Sequence, residues 1–107
     1  MNVTISEFSI DHYDDVYALW EQSDGVELSG ADEKKYIRTY LQRNPGMSFV
    51  AISNETVVGS ILCGHDGRRG YIHHLAVKAD CRHQGIGGRL ASRCLESLTS
   101  LGIQKCH

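Results

Sequence analysis

The sequence lacks several features that would assign the chain to a broad class at once. No run approaches the roughly 20 consecutive apolar residues that a membrane span requires. The N-terminal segment M-N-V-T-I-S-E-F-S has neither a basic start nor an apolar core, so no secretory signal is expected. The chain also contains no repeat, low-complexity tract or linker. We therefore expect a single cytoplasmic domain over residues 1–107, with no membrane partner.

The cysteines and histidines show no metal-binding pattern. No two of the four cysteines form C-x-x-C, which argues against a zinc knuckle and a redox pair. The six histidines likewise have no metal-ligand spacing, so no metal is expected. We interpret the cysteines as reduced thiols of a cytoplasmic protein. They are Cys63, Cys81, Cys94 and Cys106.

Charge is distributed unevenly along the chain. Residues 1–53 carry four basic and nine acidic side chains, a net charge of −5. Residues 54–107 carry seven basic and four acidic side chains, a net charge of +3. The total of −2 argues against a nucleic-acid-binding protein, whereas the second half is suited to a small anion.

The hydrophobic pattern predicts an α/β (α+β) fold. Short alternating runs predict five strands, and apolar residues at helical spacing predict three helices. The first helix has Tyr13, Val16, Tyr17 and Trp20 on its apolar face, after a cap at Ser9 or Asp11. The second is capped by Ser29, with Asp32 and Glu33 in its first turn and an inner face of Tyr36, Ile37, Tyr40 and Leu41. The third is expected to bury Ile86, Leu90, Cys94, Leu98 and Leu101. The order is β-α-α-β-β-β-α-β, a mixed and mainly antiparallel sheet flanked by helices.

A glycine cluster in C-R-H-Q-G-I-G-G-R-L lies between the fourth strand and the third helix. Glycine lets backbone N–H groups approach a ligand closely, and the start of a helix adds unpaired N–H groups. Together these features predict a phosphate site, with Arg82, Arg89 and Arg93 as nearby counter-charges. A Walker A loop is excluded because G-G-R-L follows where G-K-S or G-K-T is needed. A dinucleotide fingerprint is weak because Leu90 replaces its last glycine and Lys105 stands where an acid is expected.

The pattern R-x-x-G-x-G (Arg82, Gly85, Gly87), preceded by L-A-V and followed by an amphipathic helix, resembles the acyl-CoA loop of the GCN5-related N-acetyltransferase (GNAT) superfamily. The resemblance extends to the order of elements over nearly the whole chain. It implies acetyl-CoA as co-substrate and a small-molecule or peptidyl amine as acceptor. It also implies that pantetheine lies along the strand at Leu75, Ala76 and Val77. The implied pyrophosphate cradle consists of Arg82, His83, Gln84, Gly85, Ile86, Gly87, Gly88 and Arg89.

The resemblance also implies the catalytic groups. A backbone N–H near Leu75 would polarise the thioester carbonyl. In the serotonin acetyltransferase branch the strand reads H-x-H-x-L-A-V, and those two positions are Tyr71 and His73 here; histone-type members have Glu at the position of Tyr71. Strict alternation places His73 and His74 on opposite faces of the sheet, with Tyr71, Leu75 and Val77 on the His73 side. His73 is the expected base, His74 the alternative, and Tyr71 a candidate proton donor to the leaving thiolate.

In this family the loop between the first two helices lines the acceptor site. Here it carries Glu21, Asp24 and Glu27, which would attract a cationic amine, although a solvated acidic loop explains the same residues. The family domain normally continues beyond the fifth strand. The chain is therefore expected to be a fragment, a short member, or one completed by a partner strand, for example in a homodimer. The alternative function is that of an acyl-CoA-binding domain that is catalytically silent, or that is active only when a partner chain completes it.

Overall fold

The computed structural model describes residues 2–107 and contains a five-stranded sheet with helices on both faces. The strands are β1 (Thr4–Glu7), β2 (Phe49–Ser53), β3 (Thr56–His65), β4 (Arg69–Val77) and β5 (Lys105–Cys106). The helices are α1 (Tyr13–Glu21), α2 (Lys34–Arg43) and α3 (Ile86–Ser100). Short 3-10 turns precede all three helices, at Ile10–His12, Gly30–Asp32 and Ala79–Cys81. The predicted fold class and element order are confirmed.

The sheet order follows the chain, β1-β2-β3-β4-β5. The first three pairings are antiparallel, whereas β5 is parallel to β4 and pairs only Lys105 and Cys106 with Arg69 and Gly70. One further bond continues this pairing, from the Ile72 N–H to the His107 carbonyl (2.7 Å). Within residues 2–107, the remainder of β4 has no strand on that side.

The two faces of the sheet carry separate apolar clusters. One packs beneath α3 and includes Phe49, Ile61 and Leu90. The other packs beneath α1 and α2 and includes Trp20, Ile37 and Leu62. Gly59 of β3 brings α3 close to the sheet, because a Cβ there would lie 3.1 Å from Leu90 Cδ1 and 3.2 Å from Ile86 Cγ2. The position of the first turn of α3 therefore depends on this close packing.

Three local expectations are wrong in detail. Helix α2 begins at Lys34, so Asp32 lies in the preceding 3-10 turn and is buried. Tyr36 is 51% exposed rather than on an inner face. Leu101 is 57% exposed because it follows the last turn of α3, beyond the buried stripe that ends at Leu98. Ser9 does cap the turn leading into α1, as predicted.

Candidate functional site

Strand β4 contains a β-bulge at its centre. Leu62 pairs with His73 and Ser60 pairs with Ala76, so His74 and Leu75 both lie opposite Ile61 alone. The backbone of His74 adopts a left-handed conformation, with φ of 51°. The bulge therefore interrupts the alternation of side chains along β4, at the strand that the sequence singled out for chemistry.

The bulge corrects the expectation that His73 and His74 face opposite sides of the sheet. His73 is paired with Leu62, which belongs to the cluster beneath α1 and α2, and partners across an antiparallel ladder share a face. The His74 ring lies 4.9 Å from the Trp20 ring of α1. Both histidines therefore lie on the α1/α2 face. Val77 packs against the α3 cluster instead of sharing the face of His73, because the extra residue shifts the alternation.

Backbone groups at the end of β4 point to its free edge. The Lys78 N–H donates to the Val58 carbonyl of β3 (2.8 Å), so the preceding residue, Val77, directs its backbone groups the other way. The Val77 carbonyl indeed accepts from Nε of Arg82, at 3.1 Å. Leu75 has no β3 partner in the ladder, and 46% of its surface is exposed. This edge can therefore accept an extended ligand as an added strand.

The glycine-rich loop presents unpaired amides at the start of α3. His83 and Gly85 have φ of 65° and 78°, and glycine suits the second because a left-handed residue with a Cβ is strained. Gly85 is the N-cap and provides no side chain to bond the amides of the first turn. The N–H groups of Ile86, Gly87 and Gly88 therefore have no partner within the helix and are available to an anion.

The three arginines near this loop do not share one role. Arg82 contacts the edge of β4 through the Val77 carbonyl. Arg89 donates from Nη2 to the Val3 carbonyl (3.1 Å), and its backbone N–H bonds to Gly85 (3.0 Å). Arg93 lies over the Phe49 ring at 4.7 Å. Arg89 and Arg93 are thus held towards β1 and β2. Of the three expected counter-charges, Arg82 alone lies beside the loop.

A cleft of about 320 Å³ joins the loop to the free edge of β4. Residues 75–77 form one wall, and Ser23, Gly25 and Val26 of the α1–α2 loop form the opposite wall. Arg82 and Gly87 complete it at the end nearest α3. The structure therefore brings five of the eleven predicted cofactor residues into one cleft, namely residues 75–77, Arg82 and Gly87. Gly85, Gly88 and Arg89 line a separate hollow beside β1 instead.

A second hollow, of about 580 Å³, lies between α2 and the β3–β4 turn; we call it the α2 groove. Tyr36, Tyr40 and Arg43 of α2 line one side, and Asp66 of the turn lines the other. Tyr71 and His73 also line it. Leu75, two residues beyond His73, lines the cleft, so neighbouring segments of β4 line the groove and the cleft.

Tyr71, His73 and Asp66 form a connected set within the α2 groove. The Tyr71 and His73 rings are stacked 6.5 Å apart at an angle of 8°. The Tyr71 hydroxyl donates to Oδ2 of Asp66 at 3.3 Å. Oδ1 of Asp66 accepts the backbone N–H groups of Arg69 (2.8 Å) and Arg68 (2.9 Å), which hold the pKa of this carboxyl below its usual value. Asp66 thus contributes a fixed negative charge at the end of the groove.

Tyr40 lies deeper in the groove than the other tyrosines. Burial raises the pKa of its phenol, and nearby Cys63 and Cys94 act in the same direction. A Cβ on Gly64 would lie 2.6 Å from the Tyr40 hydroxyl, so the ring packs directly over this glycine. The groove therefore contains a phenol that stays neutral and can donate or accept a hydrogen bond.

The predicted acidic acceptor residues lie apart from this groove. Glu21, Asp24 and Glu27 are exposed on the α1–α2 segment, beside the cleft wall formed by Ser23, Gly25 and Val26. They are not among the groove residues. These three carboxylates therefore lie at the rim of the cleft and line neither the cleft nor the α2 groove.

Sequence reasoning missed a buried contact between His74 and Asp32. Nε2 of His74 lies 2.8 Å from Oδ1 of Asp32, and both side chains are largely buried. Oδ2 of Asp32 accepts the Ser29 N–H at 3.0 Å. A signal was present in S-G-A-D, where an acid three residues after a serine cap forms a capping box, but nothing local pairs it with His74.

Residues 2–107 contain neither a membrane-spanning helix nor a metal-binding cluster. None of their helices is both long and apolar enough to cross a bilayer. No group of three or more metal-ligating side chains in that range is arranged to hold an ion. All four cysteines are free thiols.

Comparisons with known proteins give one consistent result. The profile of the "Acetyltransferase (GNAT) family" matches residues 13–107. An acetyltransferase of Pectobacterium atrosepticum is 35% identical over 100 residues, covering 94% of this chain and 70% of that protein. One of Sodalis glossinidius is 36% identical over 103 residues, covering 96% and 72%. The PaiA N-acetyltransferase of Thermoplasma acidophilum, solved in complex with coenzyme A, superimposes with a TM-score of 0.83 at 17% identity, covering 99% and 77%.

Proposed function

Because this chain belongs to the GNAT acetyltransferase family and is an acetyl-CoA-dependent N-acetyltransferase, we propose that a primary amine bound in the α2 groove attacks the thioester directly on β4. The observation that carries this proposal is that neighbouring segments of β4 line both hollows, with Tyr71 and His73 in the groove and residues 75–77 in the cleft. One hollow ends at uncapped helix amides and the other contains His73. Donor and acceptor would then meet at residues 73–75.

In this proposal the cofactor is bound mainly by backbone groups. The pyrophosphate lies against the amides of residues 86–88, where the helix dipole adds positive potential. This cradle is bordered by Arg82, His83 and Gln84. Arg89 lies in the first turn of α3, and its guanidinium donates to the Val3 carbonyl. Pantetheine extends along Leu75, Ala76 and Val77 as an added strand. A structural neighbour from Thermoplasma acidophilum was solved in complex with coenzyme A, which supports coenzyme A as the ligand of this fold.

The chemical step requires a neutral amine and a stabilised oxyanion. Alkylamines resemble lysine, with a pKa near 10.4, so the bound amine must lose a proton before it attacks. His73 is the proposed base, directly or through water, because its ring lies in the groove beside the reaction point. The Leu75 N–H is the proposed donor to the thioester oxygen, a role worth about 2.7–4 kcal/mol per preorganised donor.

Tyr71 is proposed to support His73, and it is also the candidate proton donor to the leaving thiolate. Its ring is stacked on that of His73, and its hydroxyl donates to Asp66. To protonate the leaving thiolate, Tyr71 would have to release Asp66. A thiol has a reference pKa near 8.5, so the thiolate can depart near neutral pH without a dedicated acid.

The acceptor is proposed to be a small-molecule or peptidyl amine. Asp66 provides a carboxylate for its ammonium group before deprotonation, and the tyrosine faces of the groove attract a cation. Glu21, Asp24 and Glu27 on the rim would raise the local concentration of cationic substrates, and this steering weakens as salt rises.

A second candidate function rests on the free edge of β4. Beyond Ile72, no strand within residues 2–107 pairs with that side of β4, and exposed edges are sites of association. The chain would then bind acyl-CoA without turnover, or become active when a second copy or another partner completes the site.

Thiol release from acetyl-CoA, measured with a panel of primary amines at several protein concentrations, separates these possibilities. We expect amine-dependent thiol release from the isolated chain. Binding of coenzyme A with no release across the panel would favour the silent domain. Activity that rises more steeply than protein concentration would favour a homodimer.

A further inference from the structure

His74 combines two features that seldom occur together in a strand. It occupies the first position of the β4 bulge, where two residues face one of β3. Its φ of 51° lies in the left-handed region, which is unfavourable for a residue with a Cβ. Such conformations persist only where surrounding contacts enforce them, and they are concentrated at functional sites.

The side chain of His74 contacts α1 and the turn before α2. Nε2 of His74 lies 2.8 Å from Oδ1 of Asp32. The edge of the ring packs against Trp20 at 4.9 Å with an angle of 73°, and Nε1 of Trp20 is itself fixed by Oγ of Ser60 at 3.1 Å. We call the set His74, Asp32 and Trp20 the bulge clamp.

Asp32 also makes hydrogen bonds to residues other than His74. Its other carboxylate oxygen accepts the Ser29 N–H, and its backbone carbonyl accepts the Tyr13 hydroxyl at 2.5 Å. The clamp therefore connects the α1–α2 segment, which forms a wall of the cofactor cleft, to the central residue of β4.

We propose that His74 is a positioning residue: the bulge clamp maintains its left-handed backbone and so directs the N–H of Leu75 to the free edge of β4, where the thioester oxygen would lie. This inference rests on the proposed function. It gives His74 a role distinct from that of a base, because its Nε2 is bonded to Asp32 and its side chain lines neither the cleft nor the α2 groove.

The variant His74→Gly tests the clamp without forbidding the backbone conformation, since glycine adopts positive φ freely. We expect coenzyme A to bind within about threefold of the unmodified affinity, whereas kcat falls by about 10- to 100-fold, approaching the loss of one oxyanion donor. A direct readout is the ¹⁵N–¹H resonance of Leu75. In the unmodified chain it should shift further with acetyl-CoA than with coenzyme A, and in His74→Gly this difference should disappear.

Asp32→Ala breaks the same contact from the other side and should give the same combination of results. Because the two residues act as a unit, the double variant should lose little more than either single variant. Tyr13→Phe is the matched control: it removes the hydroxyl bond to the Asp32 carbonyl but leaves the carboxylate contact intact. It should lower the melting temperature while preserving kcat and the Leu75 shift difference.

The outcomes separate this inference from the proposed function. If the unmodified chain binds coenzyme A but His74→Gly and Asp32→Ala keep both kcat and the Leu75 shift difference, the clamp has no positioning role. Equal losses of coenzyme A affinity and kcat, with the shift difference retained, would show a merely structural role and overturn the inference. If the unmodified chain fails to bind coenzyme A, the proposed function itself is wrong.

Discussion

The cofactor cleft and the α2 groove lie side by side on β4 but are built differently. The cleft depends mainly on backbone groups from one continuous stretch, residues 75–88, together with a wall from the α1–α2 loop. The groove depends on side chains from α2, the β3–β4 turn and β4, which are far apart in sequence. A local backbone site leaves a readable motif, whereas a side-chain site assembled by the fold does not. The comparison therefore predicts that variants in the two regions will affect different kinetic constants.

The largest effect is expected for Gly87→Asp in the cofactor cleft. A Cβ there would lie 3.9 Å from Val77 Cγ2, an ordinary contact, and an acid suits the first turn of a helix. Stability should therefore be kept, while the added negative charge repels the pyrophosphate and lowers coenzyme A affinity by at least about 100-fold, or about 2.8 kcal/mol. Calorimetric titration measures the affinity, and thermal melting measures the stability.

Gly30→Asp is the matched control for this substitution. Gly30 begins an exposed turn with nothing within 4 Å of an added Cβ, so it introduces the same charge away from the cleft. Its coenzyme A affinity should be unchanged. Unchanged affinity in Gly87→Asp as well would remove the loop from the cofactor site.

The next largest effect is expected for His73→Ala, in the α2 groove two residues before the cleft residue Leu75. Loss of a general base should lower kcat by about 100-fold, with coenzyme A affinity unaltered. The deficit should be greatest at mildly acidic pH, where fewer amines are neutral without help. His12→Ala removes a ring whose Nδ1 accepts the Ser9 N–H in the turn before α1, outside both hollows, and should retain the unmodified kcat. A pH–rate profile of His73→Ala that matches the unmodified chain would exclude His73 from the mechanism.

A smaller and more selective effect is expected for Asp66→Asn in the α2 groove. It should raise KM for the amine by about tenfold, or about 1.4 kcal/mol, and leave coenzyme A affinity unchanged. Glu55→Gln makes the same charge change at the exposed β2–β3 turn and should alter neither constant.

Substituting Glu21, Asp24 and Glu27 together should raise KM for the amine only at low salt. If that triple variant has the larger effect at all salt concentrations, the acceptor binds at the rim instead.

The smallest effect is expected when low pH weakens the contact between Asp66 and the backbone amides of the β3–β4 turn. The Arg69 and Arg68 amides lower the pKa of Asp66 in the folded state, so the contribution of this contact is fully present above about pH 4, the usual carboxyl value. It should be lost as pH falls through the lowered pKa. The Arg68 and Arg69 amide resonances should move together over that interval. Amides that move only at the usual carboxyl pKa would contradict the assignment.

The sequence was sufficient for the parts of the molecule that local patterns determine. The stripe from Ile86 to Leu98 and the glycine loop before it could be predicted, because helical spacing and glycine content are visible within a few residues. The face of His74 could not, because one left-handed residue reverses an alternation that otherwise holds along β4. Histidine tolerates positive φ better than most residues, but that preference is too weak to locate a bulge.

The contact of His74 with Asp32 was also beyond local reasoning, since 42 residues separate the partners. Asp32 fits the first turn of a helix in sequence, and only tertiary packing places it in a buried turn opposite β4. The same applies to the α2 groove, whose tyrosines from α2 meet β4 through the packing of α2 on the sheet.

Titration of the ¹⁵N-labelled chain with coenzyme A tests the central claim most directly, because that claim concerns backbone amides. We expect saturable shifts at Leu75, Val77 and residues 86–88, and much smaller ones at Arg68 and Arg69 beside the α2 groove. No shift between Leu75 and Gly88 at a large excess of coenzyme A would contradict the account.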